Sequence, residues 1–199
     1  MGQAHTFELV KVGNTGFSRR QLFERSAVGG IAAAVAIGHQ GRWLSPAQAK
    51  AENVPLTVLT AEQGALLETL GEVLVPGARA AGIANFVDVQ LAKPQPLLMA
   101  KYFDWPGSLT DFYTQGLAAL DKASVAATGV AFAKAAADQQ IALVGSLLPG
   151  TVKGWAGPPA PLFYLFTRGD AVDVVYGTVE GFARLNVPYI PHILPEERW

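Results

Sequence analysis

The chain has 199 residues, half of them hydrophobic and 16% charged, which excludes a disordered polyelectrolyte. Fifteen basic against sixteen acidic side chains give a net charge of −1, so no basic footprint for nucleic acid is present and no nucleic-acid partner is expected. Zero cysteines exclude disulfides, thiolate zinc, iron–sulfur ligation, covalent haem attachment and a cysteine nucleophile in this chain.

The first 49 residues read as an export signal. Met1 to Phe17 are polar. Ser18-Arg19-Arg20-Gln21-Leu22-Phe23 follows, then an uncharged apolar stretch from Ser26 to Gly38, then Ser45-Pro46-Ala47-Gln48-Ala49. That order is a positive region, an apolar region and a small-x-small cleavage site, with cleavage expected after Ala49. The apolar stretch is shorter than the ~20 residues a membrane-spanning helix needs, so a permanent anchor is not expected. Arg19, Arg20, Leu22 and Phe23 match a twin-arginine signal. Five of the fifteen basic residues and two of the sixteen acidic ones fall in 1–49. The remainder, 50–199, therefore holds ten and fourteen, a net charge of −4, with His192 as its one histidine.

Residues 50–199 read as a single helical domain. Val54–Leu59 is the one short stretch with strand-like alternation. Thr60 is a candidate N-cap with Gln63 at the capping-box position, and Leu66, Leu67, Leu70, Val73 and Leu74 follow at helical spacing until Pro76-Gly77. Asn85 is expected to cap a short helix through Phe86, Val89 and Leu91. Leu109 to Ala123 places Phe112, Tyr113, Leu117 and Leu120 on one face. Asp138 to Leu148 repeats Ile141, Val144, Gly145 and Leu148 at three and four residues, closed by Pro149-Gly150. A last apolar region runs from Pro161 to about Leu185, with a break expected near Gly169 or Gly177. Pro- and Gly-rich linkers lie at Pro76–Gly82, Pro94–Pro96 and Gly150–Pro161. The expected fold is mainly α: a compact irregular bundle of short helices with an extended Pro-rich C-terminal segment.

Motifs for chemistry are sparse. No nucleophile elbow, zinc-protease helix, Walker loop or dinucleotide turn is present. No catalytic, cofactor-binding or metal-ligating residue is assigned. Glu68 and Glu72, with Glu62 nearby, read as a solvated helix face, and Asp170 and Asp173 as surface groups or a helix start. His192 sits among Pro188, Pro191 and Pro195, which forbid regular helix, and reads as a packing residue. That same stiff segment carries Tyr189, Ile190, Ile193, Leu194 and Trp199. Large apolar groups on a Pro-stiffened chain lose little entropy on docking, so the tail either packs on its own domain or binds a partner.

Several stretches carry a resemblance to a known family. They are the signal Ser18–Phe23; Leu59-Thr60-Ala61-Glu62 through Val73-Leu74-Val75-Pro76-Gly77; Gly82-Ile83 and Phe86-Val87-Asp88; Asp170 through Phe182; and Val187-Pro188-Tyr189-Ile190-Pro191-His192-Ile193. The chain resembles the gluconate 2-dehydrogenase subunit 3 family, the small or gamma subunit of membrane-associated flavin-dependent sugar and alcohol dehydrogenases. The resemblance implies a non-catalytic subunit that binds, stabilises and escorts a large catalytic subunit of the glucose–methanol–choline oxidoreductase type. FAD would sit on that large subunit and haem c on a multi-haem cytochrome. The Tat translocase would carry the folded pair to the periplasm, where the complex holds it at the cytoplasmic membrane. The residues expected at the partner interface are Tyr176, Phe182, Tyr189, Ile190, Pro191, His192, Ile193 and Trp199. Many members carry a Gly-rich motif near the C-terminus that only Tyr176-Gly177 matches here, so the resemblance does not extend to the parent enzyme's substrate. Two other functions fit the same residues: an independent periplasmic helical binding domain, and a carboxylate-based enzyme working through Glu68, Glu72, Asp170 or Asp173.

Overall fold

Seven α-helices and one two-stranded hairpin make up the described part of the chain. The computed structural model describes residues 36–186. The hairpin pairs β1 (Ile37–His39) with β2 (Arg42–Leu44), antiparallel, with Ile37 opposite Leu44. Gln40 and Gly41 between them both take positive φ, as a tight two-residue turn of the I′ kind requires. The helices follow as α1 (Pro46–Ala51), α2 (Ala61–Leu74), α3 (Ile83–Leu91), α4 (Leu109–Thr128), α5 (Ala137–Leu147), α6 (Ala160–Tyr176) and α7 (Val179–Arg184). Single 3-10 turns lie at Met99–Tyr102 and Phe132–Lys134. The mainly α architecture agrees with the sequence reading.

The expected capping box of α2 is present. Thr60 Oγ1 accepts from the Gln63 amide at 3.2 Å, and Gln63 Oε1 accepts from the Thr60 amide at 2.9 Å. Helix α4 begins the same way at Ser108 and Asp111. Its residues Phe112, Tyr113, Leu117 and Leu120 are all buried, on the face the spacing predicted. α2 and α6 are the central helices: α2 touches α3, α4, α5 and α6, and α6 touches α2, α3, α4, α5 and α7. Between α4 and α6 lies an aromatic cluster centred on Phe112, whose ring meets Trp105 edge-on at 5.6 Å and lies 5.7 Å from Phe166.

Three local expectations are corrected. Asn85 does not cap α3. Gly82 does, in the left-handed region, and Asn85 lies inside the helix donating to the Val54 carbonyl at 3.2 Å. Val54–Leu59 is not a strand, because its amides turn toward Asp88 instead of a neighbouring chain. α5 buries Val144 and Leu147, while Ile141 and Leu148 face outward. Of the two places where the last apolar region was expected to break, the structure chooses Gly177: α6 runs unbroken through Gly169 and stops at Gly177.

The packed body begins ahead of Lys50. Ile37, Leu44 and Ala49 form a small core of their own with Val54 and Val89 of the domain. Burying an isoleucine and a leucine contributes ~1.5–3 kcal/mol each. A chain begun at Ala36 keeps the hairpin and α1 and serves as the reference. One begun at Lys50 should lose on the order of 4 kcal/mol. Equal midpoints for the two would show that the hairpin adds nothing to the domain.

Candidate functional site

Three of the four carboxylates that a catalytic reading would need are committed to the fold. Glu68 pairs with Lys50 at 2.6 Å. Glu72 spreads its two oxygens over the turn after α2, accepting from the Gly77 amide at 2.9 Å and the Arg79 amide at 3.1 Å. The reading of Glu68 and Glu72 as a solvated face is corrected: both hold backbone or side-chain partners, because the chain doubles back over this end of α2. Asp170, read as a surface group or a helix start, is fully buried in the middle of α6. Asp173, one turn on, is at the surface, and partial burial pushes its pKa up.

Asp170 is the least ordinary of these. Tyr113 Oη donates to Asp170 Oδ2 at 2.5 Å, joining α4 to α6 across the core. Asp170 Oδ1 has no hydrogen-bond partner of good geometry, and Thr167 Oγ1, one turn earlier, has none either. Burial pushes the Asp170 carboxyl up to about 7. The Tyr113 hydroxyl opposes this, the Asp173 charge adds to it, and the nearby Met99 amide pulls it back slightly. Burial and the Asp170 charge in turn hold the Tyr113 hydroxyl well above its ordinary range. This is a sealed pair inside the bundle, out of reach of any substrate.

A cleft of about 380 Å³ lies between the 53–56 segment and α2, lined by Asn53, Leu56, Gly64 and Asn85 with Lys50 and Glu68. Its two charged residues neutralise each other, so it offers no net charge to a ligand. Among the described residues no cluster of His, Asp or Glu could hold a metal ion. No described helix is long and apolar enough to cross a membrane.

What the surface does offer is an outward apolar face. α6 separates apolar from polar residues only weakly: Leu165, Gly169, Val172 and Tyr176 follow one another along its outer side, with exposed Arg168 and Asp173 flanking them. Its inner side packs Phe163, Ala171, Val174 and Val175 into the core. Its outer side presents Leu165 and Tyr176, 47% and 44% exposed. Met99 lies over Gly169 on that outer side, and Tyr102 beside it is 75% exposed. The strip thus runs from the 3-10 turn along α6 to Tyr176. Tyr176, expected at an interface from the sequence, lies on this strip; Leu165, Met99 and Tyr102 lie there too and were not singled out, the spacing of Leu165, Val172 and Tyr176 being the available signal.

The corner between α6 and α7 is fixed. Thr178 Oγ1 accepts from the Gly181 amide at 3.1 Å, and Arg184 Nη2 donates to the Val175 carbonyl at 2.6 Å. A Cβ at Gly181 would collide with the Val175 carbonyl, so only glycine lets α7 fold back so tightly. Phe182 is half-buried on α7, and Val179 and Leu185 are exposed beside Tyr176. The chain leaves the described structure from this corner. Tyr189, Ile190, Pro191, His192, Ile193 and Trp199, like Arg19, Arg20, Leu22 and Phe23 at the other end, lie outside the described residues. Ala47 and Ala49, the expected cleavage positions, lie within α1.

Residues 61–191 match the family described as gluconate 2-dehydrogenase subunit 3. The chain belongs to that family. The match covers α2 to α7, including the Asp88 region, the apolar strip and the α6–α7 corner, and begins after the hairpin and α1. The family name denotes a subunit of a gluconate dehydrogenase complex. No curated protein and no solved structure matches the chain.

Proposed function

We propose that this chain is the non-catalytic small subunit of an exported, flavin-dependent sugar or alcohol dehydrogenase. The observation that carries the reading is the family match over 61–191. FAD belongs on a large catalytic subunit of the glucose–methanol–choline type, and haem c on an associated cytochrome. This chain's own part is to bind and stabilise the large subunit and to supply, through Arg19 and Arg20, the twin-arginine signal for the pair. The complex then resides in the periplasm, held at the cytoplasmic membrane.

The outward strip of α6 and the Pro-rich tail supply the binding surface. Tyr176, Phe182 and the tail residues Tyr189, Ile190, Pro191, His192, Ile193 and Trp199 form its C-terminal part, with Leu165 extending it along α6. Large, rigid aromatic groups at the centre of such a surface carry most of its energy. Against the carboxylate-enzyme alternative, three of its four groups, Glu68, Glu72 and Asp170, have a fixed structural partner, and Asp173 alone is exposed.

The test is a pull-down of C-terminally tagged chain from the native periplasmic and membrane fractions. The expected result is a yellow, one-to-one complex with a large flavoprotein. Tyr176→Ala should weaken it by roughly ten-fold or more, and a chain ending at Val187 should lose it. Changing both Arg19 and Arg20 to Lys should leave both proteins in the cytoplasm. A colourless chain recovered alone, or a flavoprotein exported normally with the arginines changed, would overturn the reading.

A further inference from the structure

The small-x-small site at Ala47-Gln48-Ala49 sits in the middle of α1. Proteases cut chain that is extended and accessible, which in folded proteins means loop tips and loose termini. Here the opposite holds on every side. Ser45 caps α1 through a full capping box with Gln48, and Pro46 opens the helix. Pro46 and Ala49 are buried, Ala49 completely. The Pro46 carbonyl rests against Gly82, where any side chain would collide with it. Leu44, just upstream, is 2% exposed in the small core with Val54 and Val89. Lys50, on the far side of the bond, is tied to Glu68 at 2.6 Å. Arg42 and Glu52 close the hairpin over the helix with two hydrogen bonds of 3.1 Å. No part of this stretch can be drawn into an extended strand unless the hairpin and α1 lift off the domain together.

We propose that the folded domain protects the Ala49–Lys50 bond, so that the hairpin and α1 stay joined to the chain once it has folded. Cleavage at this bond and docking of α1 are in competition, and folding decides it. The consequence for export rests on the twin-arginine reading above. A route that moves folded protein delivers this chain with the bond already covered. The hairpin and α1 then reach the periplasm as part of the domain.

The experiment compares cleavage by a purified bacterial signal peptidase of the folded full-length chain and of a peptide spanning residues 26–55, which lacks α2 and α3 to dock on. The peptide should be cut after Ala49 and the full chain at least about a hundred-fold more slowly. Leu44→Asp, which unseats the hairpin, should restore cutting of the full chain. Should that variant fail to fold, the wild-type comparison with the peptide still decides. Similar rates for chain and peptide would overturn the proposal, and so would a peptide that is never cut, since there would be no site to protect. Intact mass of the chain from the exported complex provides the second reading: a first residue upstream of Ile37 supports the proposal, and Lys50 as first residue overturns it. A chain that never leaves the cytoplasm would defeat the export reading while the peptidase comparison still judges this one.

Discussion

Replacing Asp88 by Ala is expected to cost on the order of 4 kcal/mol, a large share of the ~5–15 kcal/mol that a domain of this kind has. Asp88 is buried on α3, and its carboxylate accepts four hydrogen bonds from the chain leading into α2. Thr57 donates from its amide at 2.8 Å and its hydroxyl at 3.0 Å to Oδ2, and the amides of Val58 and Leu59 each donate at 2.8 Å to Oδ1. Three successive backbone amides converge on one anion, an arrangement that a neutral group cannot satisfy as well. Alanine leaves these donors without a partner beside the buried Leu59. Asp88→Asn should recover only part of the loss, since its amide nitrogen brings donors to a place that already has them. Denaturant titration of the three chains gives the order wild type, Asn, Ala. A midpoint for Ala within about 1 kcal/mol of wild type would show that the amides find other partners and that Asp88 is not the clamp described.

The second expected result is a stability that falls as pH rises from about 4 to 8, through Asp170. Its carboxyl is held up to about 7 in the folded protein against an ordinary value of 3.8. Between those values the folded protein keeps a proton that the unfolded chain has released, so unfolding releases a proton and stability drops with rising pH. The favourable contribution is complete below 3.8 and lost above about 7, with a total on the order of a few kcal/mol. Asp173, also raised, adds to the same slope. Asp170→Asn should remove most of the dependence and stabilise the protein above pH 7. The amide oxygen can still accept from Tyr113, and the new N–H donors lie on the same helix face as Thr167 Oγ1, which lacks a partner. Thermal melts of both chains from pH 4 to 8 check this. Parallel curves for the two would mean that Asp170 does not govern the slope.

The elements with a local signature were legible. Thr60 with Gln63 three residues on, and Phe112, Tyr113, Leu117 and Leu120 on one stripe, need no tertiary information. α5 was misread because Ile141, Leu143, Val144, Leu147 and Leu148 fill more than one face, so periodicity alone cannot choose between them. The choice is made by contacts at its start, where Gln140 Nε2 donates to the Phe132 carbonyl at 2.9 Å. Asn85 was taken for a cap on residue type, but Gly82 reaches the left-handed conformation at lower cost. The hairpin was hidden because three-residue strands carry almost no pattern and their apolar lead-in looks like a signal. Of the α6–α7 corner, the stop at Gly177 was legible from the glycine, while the tight turn-back at Gly181 was not, because it is set by contact with the Val175 carbonyl. Nor was the role of Asp88, because its partners lie about thirty residues away in the chain.

The rigid corner at Gly181 has a kinetic meaning for the proposed complex. It fixes where Asn186 stands relative to α6. Thirteen residues can reach at most about 45 Å from Asn186 even when fully extended. A partner held by the strip therefore meets the tail at a high local concentration, and the reverse is equally true. Such a two-point grip dissociates only when both points are open at once. Weakening either one should shorten the lifetime of the complex far more than it slows its formation.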